Sequence, residues 1–419
     1  MSPPTFQTVL DTFREAATSN RDLGDKFERL IAHYLLTDPQ YADLFSDVWL
    51  WSEWPDRWSV DVGIDLVARE RASGDYWSIQ CKFYLDTHTL QKADIDSFFT
   101  ASGKLFATTD GEGRFARRML VSTTDKWSKH AEDALADQVI PTVRLWFKDL
   151  AASPVDWSHF NLSHVQDLRL KPKKELRKDQ ENALHDVIEG YQTHDRGKLI
   201  KACGTGKTFT SLRLAEQVVP AGGRVLFLAP SISLVSQTLR EWTAEALAPI
   251  HALVVCSDSK VGKEEEDLRT HDLAYPATTD ARKLATAAQA VTPDRRLVVF
   301  STYQSIQVVA DAQRQGLGDF DLIICDEAHR TTGLTLPGED PSEFVKVHHQ
   351  HLVRGHKRLY MTATPRIYAE ASKTKAGEKE AVLFSPWMTR RPTAPSSIGS
   401  ASGSRAASRT SPSSSTTPT

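Results

Sequence analysis

One short loop has the residue types that cradle the phosphates of a nucleotide: Gly204, Thr205, Gly206, Lys207 and Thr208. The loop follows the apolar run LIKA and precedes the helical stretch TSLRLAEQVV, which is the context that a phosphate-binding loop requires. Glycines let main-chain N–H groups turn towards phosphate oxygens, Lys207 brings positive charge to the β and γ phosphates, and the Thr208 hydroxyl can bind Mg²⁺. The full pattern has a small residue where this chain has Lys201, but the core of the loop is intact. The sequence therefore predicts an ATP site.

Two adjacent acids could complete the nucleotide site. Asp326 and Glu327 follow the hydrophobic run FDLIIC, which is typical of a buried strand. Asp326 would hold Mg²⁺, directly or through water, and Glu327 would polarise the water that attacks the terminal phosphate. The loop is distant in the sequence, but parallel strands bring their carboxyl ends to one edge of a sheet. We therefore expect the loop and the acids to meet, with ATP and Mg²⁺ as cofactors.

Three residues nearer the N-terminus could form a hydrolytic metal site. Asp65 lies on the first strand of a predicted hairpin, and Gln80 and Lys82 lie two residues apart on the second strand, so they share a face. A carboxylate and an amide oxygen can bind Mg²⁺, with the main-chain carbonyl of Cys81 as a further candidate ligand. Lys82 would orient or activate water and stabilise negative charge at phosphorus. The alternative is an exposed hairpin whose charged residues are only solvated.

Residues 1–150 are predicted to form an α/β domain that positions this trio. Apolar residues recur at helical spacing in FQTVLDTFREAA and GDKFERLIAHYLL, which predicts two helices over 5–36. Alternating residues on both sides of the turn ASGD predict the β-hairpin. A helix near ADIDSFFTASG and short strands at RRMLVST and PTVRLWF complete the domain.

A linker over 151–174 separates this domain from a region with a different pattern. Apolar runs alternate with helical stretches over 175–385, which predicts a doubly wound parallel sheet. The runs are KLIKA, RVLFLAP, ALVVCS, RRLVVFST, FDLIICDE and KRLYMTAT. The polar stretch from Ser257 to Thr279 is interpreted as an exposed insertion.

The ordered motifs of this second region resemble the first motor domain of superfamily-two DEAH-type helicases and translocases. The motifs are Gln180 in LRKDQENAL, then GTGKT, FLAPSISLVSQT, STYQS, DEAH and TATP. The resemblance covers about 175–385 and implies a RecA-like fold that binds ATP. It also implies that Gln180 reads the adenine.

The same resemblance implies a path for nucleic acid across the carboxyl ends of the strands. The residues expected along this path are Pro230, Ser231, Thr302 and Tyr303. Hydroxyls and main-chain amides on such loops suit phosphate contacts, which follow a backbone without reading its sequence. Thr362, Ala363 and Thr364 would couple the ATP site to the bound strand.

The hairpin resembles the PD-(D/E)xK nuclease superfamily, in particular Mrr-like restriction nucleases. In that family GxD on one strand is followed by (E/Q)xK on the next, after a helix that carries an acid. The matching residues here are Gly63-Ile64-Asp65, Gln80-Cys81-Lys82 and Glu28 in GDKFERL. The resemblance implies catalysis by Glu28, Asp65, Gln80 and Lys82, with Asp65 and Gln80 as metal ligands. Gln80 replaces the glutamate of most members, and a neutral amide binds Mg²⁺ more weakly.

A Mrr-like nuclease followed directly by a DEAH-type motor resembles the N-terminal part of the Type ISP single-polypeptide restriction-modification enzymes. The resemblance implies an ATP-dependent restriction endonuclease and DNA translocase that acts on double-stranded DNA with Mg²⁺. In that family a methyltransferase and a target-recognition domain follow the motor, and neither is expected within these residues. Two other interpretations are an inactive DNA- or nucleotide-binding remnant and a stand-alone defence helicase whose nuclease fold only binds DNA.

The composition predicts a sizeable core and no membrane segment. The chain has 419 residues, of which 40% are hydrophobic and 25% charged, and its net charge of −3 indicates no overall affinity for nucleic acid. No apolar run approaches the ~18 residues of a transmembrane helix. The four cysteines are widely spaced and form no CxxC pair, which argues against a zinc site or a disulfide framework and favours the cytoplasm.

After Ser385 the composition collapses to Ser, Pro, Arg, Thr, Ala and Gly. One interpretation is a natural disordered tail over 386–419. We prefer a change of reading frame near Ser385, because codons for Pro386-Trp387-Met388-Thr389 are compatible in another frame with Met-Asp-Asp, and members of the family that this chain resembles continue with a similar acidic pattern. The ~55 residues after Pro365 cannot form a second RecA-like domain. We therefore expect a truncated product that binds ATP weakly and hydrolyses it poorly alone.

Overall fold

Two layered assemblies of helices and strands follow one another along the chain in a computed structural model. The structure describes residues 5–60, 63–108, 111–136, 138–257, 269–331, 334–335, 345–363, 383–384 and 397–399. The first assembly contains the predicted metal-site hairpin, and the second contains the predicted nucleotide loop. Both are mixed α/β, as the sequence predicts.

The helices of the first assembly begin where side chains can satisfy their free N–H groups. They are α1 (Phe6–Ala16), α2 (Asn20–Thr37), α3 (Pro39–Leu44), α4 (Asp96–Ser102), α5 (Lys129–Leu135) and α6 (Phe147–Ala152). The Ser19 hydroxyl accepts a hydrogen bond from the Asp22 N–H at the start of α2, and the Asp38 carboxylate caps α3 ahead of Pro39. In the described part of the chain, no helix combines the length and apolarity that crossing a bilayer demands.

The strands of the first assembly are β1 (Phe45–Leu50), β2 (Leu66–Glu70), β3 (Tyr76–Lys82), β4 (Phe106–Thr108), β5 (Gly111–Gly113), β6 (Phe115–Ser122) and β7 (Thr142–Leu145). Five of them form one sheet in the order β1-β2-β3-β6-β7, whereas β4 and β5 pair separately. β1, β2 and β3 run antiparallel, and β6 and β7 run parallel to β3. The predicted hairpin of β2 and β3 is confirmed, with Leu66 opposite Ile79.

Both faces of this sheet are covered. On one face Ile79 packs in the same apolar cluster as Phe27 of α2. On the other face Leu120 belongs to a cluster rich in tryptophan and phenylalanine. Side chains alternate along a strand, so Gln80 and Lys82 lie on the face of Leu120. The metal-site residues are therefore set in a partly enclosed part of the sheet.

The second assembly is built on a parallel sheet. Its strands are β8 (Arg196–Ile200), β9 (Arg224–Ala229), β10 (Ile250–Val255), β11 (Ala277–Thr278), β12 (Arg296–Thr302), β13 (Phe320–Cys325), β15 (Gly355–Thr362) and β17 (Ser397–Gly399). Within the described residues they follow the order β11-β10-β12-β9-β13-β15-β8-β17, and the pairs are parallel. β14 (Leu334–Thr335) pairs with β16 (Leu383–Phe384) apart from this sheet. The helices are α7 (Lys178–Gly190), α8 (Lys207–Val218), α9 (Ile232–Glu245), α10 (Ala281–Gln289) and α11 (Ile306–Ala312).

The apolar runs identified in the sequence form the strands β8, β9, β10, β12, β13 and β15. The central strands β9, β12 and β13 are buried over almost their whole length, which explains their continuous apolar sequences. Because the strands are parallel, the loop 201–206 after β8 and the acid Asp326 after β13 lie at the same edge of the sheet.

The stretch from Ser257 to Thr279 differs from its prediction. Residues 258–268 lie outside the described residues, but 269–275 pack against β7 of the first assembly. His271, Leu273 and Tyr275 are buried there. The expectation of an exposed insertion is therefore wrong for 269–275, because the neighbouring assembly covers this segment.

The region predicted as a linker also packs on the first assembly. Val155 and Trp157 are buried, and the Trp157 ring lies 4.9 Å from the ring of Phe6 on α1. The predicted tail over 386–419 lies outside the described residues, apart from Ser397–Gly399 beside β8. Thr364 also lies outside the described residues.

Candidate active sites

Asp65 lies beside the second strand of the hairpin, close in the structure to the neighbours of Gln80. Asp65 precedes β2, and its N–H donates a hydrogen bond of 3.0 Å to the carbonyl of Ile79, the residue before Gln80 on β3. Asp65 Oδ2 accepts a hydrogen bond of 2.7 Å from the Cys81 N–H. This bond holds the Asp65 carboxylate against the second strand of the hairpin.

Gln80 has a buried side-chain oxygen. The residue is 2% exposed, and its Nε2 donates a hydrogen bond of 3.0 Å to the Gly63 carbonyl. Its Oε1 is buried and accepts no hydrogen bond from the described residues. Gly63 has a φ of +80°, and a Cβ there would lie 2.9 Å from Ser97 Oγ, so this position requires glycine. A buried acceptor without a donor is costly, and a bound cation would remove that cost.

The charges of Glu28 and Lys82 both act on the thiol of Cys81, the residue that follows Gln80. The pKa of the Cys81 thiol is raised well above its usual value, first by burial and then by the negative charges of Asp65 and Glu28, while the charge of Lys82 opposes the shift. The charges of Asp65, Glu28 and Lys82 therefore all act on Cys81, which follows Gln80 in the chain. A common site for the four predicted nuclease residues stays a prediction.

This neighbourhood suits a hard divalent cation. Mg²⁺ prefers oxygen ligands and commonly takes only one or two of them from the protein. The Asp65 carboxylate and Gln80 Oε1 are two such ligands on adjacent strands. Lys82 follows on the face of Gln80 and adds a positive charge where a phosphate would approach. The donor set fits Mg²⁺, and the individual roles stay predictions.

The nucleotide loop runs from β8 into the N-terminus of α8. Gly204 and Gly206 have φ values of +74° and +77°, which side chains disfavour. A Cβ on Gly206 would come within 2.3 Å of Gln180 Nε2, so the close approach of α7 also requires glycine. The first N–H groups of α8 have no partners within the helix, and they favour an anion at this end. Lys207 and Thr208 open this helix.

Gln180 lies against the nucleotide loop. Its Nε2 donates a hydrogen bond of 3.1 Å to the Thr205 carbonyl, and its Oε1 accepts one of 3.0 Å from the Arg177 N–H. Arg177 Nη2 donates to the same Thr205 carbonyl at 2.8 Å. Both ends of the Gln180 amide are engaged by the chain itself, and adenine recognition by Gln180 stays a prediction.

Lys201, the departure from the usual loop pattern, has a specific partner. Its Nζ donates a hydrogen bond of 2.8 Å to the carboxylate of Asp179. The Lys201 side chain is only 4% exposed, whereas that of Asp179 is 48% exposed. The bond from Lys201 lowers the pKa of Asp179. This pair ties the start of the loop to α7, and the sequence analysis missed it although the unusual lysine was a visible signal.

Asp326 meets the loop lysine at the carboxyl edge of the sheet. Burial raises the pKa of Asp326 to about 6; a hydrogen bond from the Glu327 N–H and the charge of Lys207 lower it, and the charge of Glu327 raises it. Lys207 Nζ donates to the Lys201 carbonyl at 3.3 Å. The effect of Lys207 on Asp326 indicates that the loop and the acid share one site.

Glu327 begins a polar path towards the end of β15. It has a φ of +45°, a left-handed conformation that is uncommon for a residue with a side chain. Its Oε2 lies 3.2 Å from His329 Nδ1, and the same nitrogen lies 3.1 Å from Thr362 Oγ1. This path joins the acidic pair to the motif predicted to couple ATP and nucleic acid.

The predicted nucleic-acid contact of Tyr303 is wrong for its side chain. Tyr303 is fully buried, and its hydroxyl donates a hydrogen bond of 2.9 Å to the Asp326 carbonyl. The ring packs among the apolar residues below the edge of the sheet. Tyr303 therefore holds the main chain of Asp326, the first residue of the acidic pair, from the buried side of the sheet edge.

The other predicted nucleic-acid residues differ in exposure. Pro230 and Thr302 are buried, and Thr302 Oγ1 donates to Ser305 Oγ at 3.2 Å, so their side chains are not available to DNA. Ser231 is partly exposed and caps α9 by accepting a hydrogen bond of 3.3 Å from the Leu234 N–H. Of this set, Ser231 stays the candidate for a direct contact.

Two protein families match this chain, one in each of the two assemblies. Residues 36–167 match the family described as "Restriction endonuclease", of the Mrr catalytic type, and residues 173–367 match the family described as "Type III restriction enzyme, res subunit". The first match contains Asp65, Gln80 and Lys82, whereas Glu28 lies ahead of it. The second match contains the nucleotide loop and the acidic pair.

Among solved structures, the chain is similar to the ATP-dependent Type ISP restriction-modification enzyme LlaBIII bound to DNA. The two are 37% identical, with a TM-score of 0.73. The match covers 91% of this chain and 24% of the LlaBIII chain. It therefore includes both assemblies, while the chain spans about a quarter of that enzyme.

Among curated proteins, the chain is similar to a probable helicase of African swine fever virus. For one isolate the identity is 31% over 191 residues, which is 45% of this chain and 19% of the viral protein. For another isolate the identity is 31% over 230 residues, which is 52% of this chain and 23% of the viral protein.

The matches and the geometry agree on the class of each assembly. The five-stranded sheet with Asp65 and Gln80 is an endonuclease domain, and the parallel sheet with the nucleotide loop is a helicase-type ATPase domain. The chain thus contains a domain of the Mrr-type restriction endonuclease family followed by a domain of the helicase family described as the res subunit of Type III restriction enzymes, and over both domains it is similar to part of a Type ISP restriction-modification enzyme.

Proposed function

We propose that the chain acts as the nuclease and first motor domain of an ATP-dependent restriction endonuclease and translocase of double-stranded DNA. The observation that carries the proposal is the buried Gln80 Oε1, which accepts no hydrogen bond from the described residues; Gln80 precedes Cys81, whose N–H donates a hydrogen bond to the Asp65 carboxylate. The similar enzyme LlaBIII is ATP-dependent and was solved bound to DNA, which supports ATP and duplex DNA as ligands. The four cysteines, all within the described residues, form no disulfide, which supports action in the cytoplasm.

In the nuclease domain, Asp65 and Gln80 would hold Mg²⁺, which when bound supplies positive charge at the scissile phosphate. Lys82 would orient the attacking water and stabilise the negative charge that develops on the phosphate oxygens. Glu28 would strengthen cation binding by adding negative charge beside Cys81. Water attacks phosphorus, the bond from phosphorus to the leaving sugar oxygen breaks, and solvent supplies the proton to that oxygen.

In the motor domain, the loop at 204–208 would cradle the phosphates of ATP, with Thr208 and Asp326 holding Mg²⁺. Lys207 would stabilise charge on the β and γ phosphates, and Glu327 would position the attacking water. Gln180 would recognise adenine from its place against the loop. The path from Glu327 through His329 to Thr362 would carry the state of the nucleotide towards the DNA.

Cleavage of a supercoiled plasmid tests the nuclease assignment. Plasmid and Mg²⁺ are incubated with the full chain, itself at micromolar concentration. The proteins compared are wild type, Asp65→Ala and Lys82→Ala. The control is Lys178→Ala, which removes a lysine 83% exposed on the motor domain. We expect cleavage by wild type and control, and a loss of about a hundredfold in the other two variants. Equal cleavage by all four proteins would refute the assignment, and binding without cleavage by all four would favour an inactive remnant.

Binding of a fluorescent ATP analogue tests the motor assignment separately. We expect Lys207→Ala to weaken binding at least about tenfold, because the charge facing the β and γ phosphates is lost. Lys178→Ala again serves as the control, since it removes an exposed lysine of the same domain. Unchanged affinity in Lys207→Ala would contradict the assignment of the loop.

A further inference from the structure

A row of side chains crosses the nuclease sheet from the metal-site residues to the motor domain. Gln80 of β3 lies in register with Leu120 of β6, and Leu120 lies in register with Arg144 of β7. On the side of β3 away from β6 lies β2, which Asp65 precedes, and the Asp65 carboxylate accepts a hydrogen bond from the N–H of Cys81, next to Gln80. Residues in register point to the same face of a sheet, so Arg144 stands on the face of Gln80, two strands away at about 10 Å.

Arg144 is held by both domains. Its Nη1 donates a hydrogen bond of 2.6 Å to Glu132 of the nuclease domain, and its Nε donates one of 2.9 Å to Asp272 of the motor domain. Its Nη2 also donates to Asp272. The guanidinium lies between the rings of Trp127 and Trp146, at 4.7 and 4.0 Å from their centroids. The side chains of Arg144 and Asp272 are 3% and 10% exposed, so this cross-domain ion pair is buried.

The segment that provides Asp272 is anchored independently on the same interface. Tyr41 of the nuclease domain donates a hydrogen bond of 2.9 Å to the Ala274 carbonyl, and Ala274 has a φ of +55°. Tyr275 donates to the Ala252 carbonyl on β10 at 3.1 Å. The position of Asp272 is therefore fixed by the motor sheet on one side and by the nuclease helices on the other.

We propose that Arg144 and Asp272 are positioning residues of the nuclease site, through which the motor domain sets the affinity of that site for its cation. The inference rests on the proposed nuclease function. Asp272 neutralises a buried guanidinium at the end of the row that carries Gln80 and Asp65. Without Asp272, the guanidinium would keep only Glu132 as an ion-pair partner, the positive potential along the row would rise, and β7 would lose its ion pair with the motor domain. Both effects weaken cation binding between Asp65 and Gln80.

The interface also offers a matched control at Asp43. This buried carboxylate of the nuclease domain pairs across the same interface with Arg295 and lies 3.3 Å from His251. It precedes β1, whose first residue pairs with Glu70, and Glu70 lies five residues along β2 from Asp65. At the rise of a β-strand this separation is about 16 Å. Asp43→Asn therefore removes the same charge from the same interface, but away from the row.

Binding of Mn²⁺ to the full chain, followed by electron paramagnetic resonance without nucleotide, tests the proposal. Asp65→Ala identifies which bound Mn²⁺ belongs to the nuclease site. We expect Asp272→Asn to weaken that binding threefold to tenfold, Asp272→Glu to restore it, and Asp43→Asn to change it less than twofold. Should Asp272→Asn fail to fold, Asp272→Ser, which keeps an acceptor for the Arg269 N–H, replaces it.

The outcomes separate this proposal from the nuclease assignment. Wild-type affinity in Asp272→Asn, or equal weakening in Asp272→Asn and Asp43→Asn, would overturn the positioning role and leave the nuclease site intact. Unchanged Mn²⁺ binding in Asp65→Ala would overturn the nuclease site itself, and the positioning role with it.

Discussion

The hydroxyl of Tyr303 donates a hydrogen bond of 2.9 Å to the main-chain carbonyl of Asp326. Tyr303 follows β12 and Asp326 follows β13, so the bond joins two loops at the carboxyl edge of the motor sheet. Both groups are buried, and burial raises the pKa of Tyr303 well above its usual value, so the phenol keeps its proton and can donate at neutral pH. A residue expected to touch DNA thus holds the acid that is proposed to bind Mg²⁺.

Tyr303→Phe should therefore affect the nucleotide site. The change leaves the buried Asp326 carbonyl without this donor, which costs about 1–3 kcal/mol of unfolding free energy. We expect a fall of several degrees in the melting temperature and a several-fold loss of affinity for the fluorescent ATP analogue. Tyr191→Phe is the matched control, because the buried Tyr191 hydroxyl has no partner among the described residues. If Tyr191→Phe lowered the melting temperature and the affinity for the analogue as much as Tyr303→Phe does, the bond from Tyr303 to Asp326 would have no specific role in the nucleotide site.

Thr362→Val should uncouple nucleotide from DNA. The change keeps the shape of the side chain but removes the hydroxyl that lies 3.1 Å from His329 Nδ1. We expect the ATP analogue to bind as in wild type, while its effect on the affinity for duplex DNA disappears, as measured by fluorescence anisotropy with labelled DNA. Thr243→Val is the control, since the buried Thr243 hydroxyl donates within its own helix to the Leu239 carbonyl at 2.8 Å. A nucleotide effect that survives in Thr362→Val would exclude this path.

The Mg²⁺-dependent part of nucleotide binding should fall below pH 6. Burial raises the pKa of Asp326 to about 6, so the carboxyl takes up a proton at a pH where a free aspartate is still ionised. A proton on Asp326 competes with Mg²⁺, so we expect a constant affinity above about pH 7 and a tenfold fall per unit below the pKa. The ATP analogue is titrated between pH 5 and 8, once in Mg²⁺ and once in EDTA, and the difference between the two affinities is the Mg²⁺-dependent part. Asp326→Asn should remove the pH dependence, and its persistence there would point to another group.

The raised pKa of Asp326 also predicts how the free energy of unfolding depends on pH. An unfolded aspartate has the lower pKa, so the ionised Asp326 costs folding free energy at neutral pH; this cost begins to shrink as the pH falls below about 6 and is gone only below the unfolded value of 3.8. Asp326→Asn should therefore raise the melting temperature at pH 7.5 more than at pH 5. An equal shift at both values would contradict the raised pKa.

Gln80→Glu should lower the stability of the metal-free protein and raise its affinity for Mg²⁺. A second carboxylate would bind Mg²⁺ more strongly than the amide, but it would lose the donor that Gln80 Nε2 supplies to the Gly63 carbonyl. We expect a lower melting temperature in EDTA and a larger increase on adding Mg²⁺ than in wild type. A variant whose melting temperature ignores Mg²⁺ would contradict the assignment of Gln80 as a ligand.

The sequence predicted those parts of the fold that depend on local patterns. The hairpin of β2 and β3 was accessible because Gln80 and Lys82 alternate with apolar residues, and the parallel sheet because its buried strands are continuous apolar runs. The meeting of Lys207 with Asp326 followed from the rule that parallel strands end at one edge. Each of these signals is a short local pattern or follows from a general rule of sheet topology, so a single sequence is enough to find them.

The sequence could not predict contacts that depend on how distant segments pack. Asp272 lies in a polar stretch, and its burial results from Arg144, which is far away in the chain. Tyr303 sits in a motif of polar residues, and only the packed sheet edge shows that its ring faces inwards. Lys201 was visible as an exception, but its partner Asp179 becomes evident only when α7 is placed beside the loop.

Anomalous diffraction from crystals of the full chain grown with Mn²⁺ and a non-hydrolysable ATP analogue tests the central claim most directly. The account predicts one peak at bonding distance from the Asp65 carboxylate and Gln80 Oε1, and a second peak between Thr208, Asp326 and the phosphates of the analogue. A crystal with the analogue in the loop but no peak between Asp65 and Gln80 would contradict the nuclease site. An analogue bound away from the loop at 204–208 would contradict the nucleotide site.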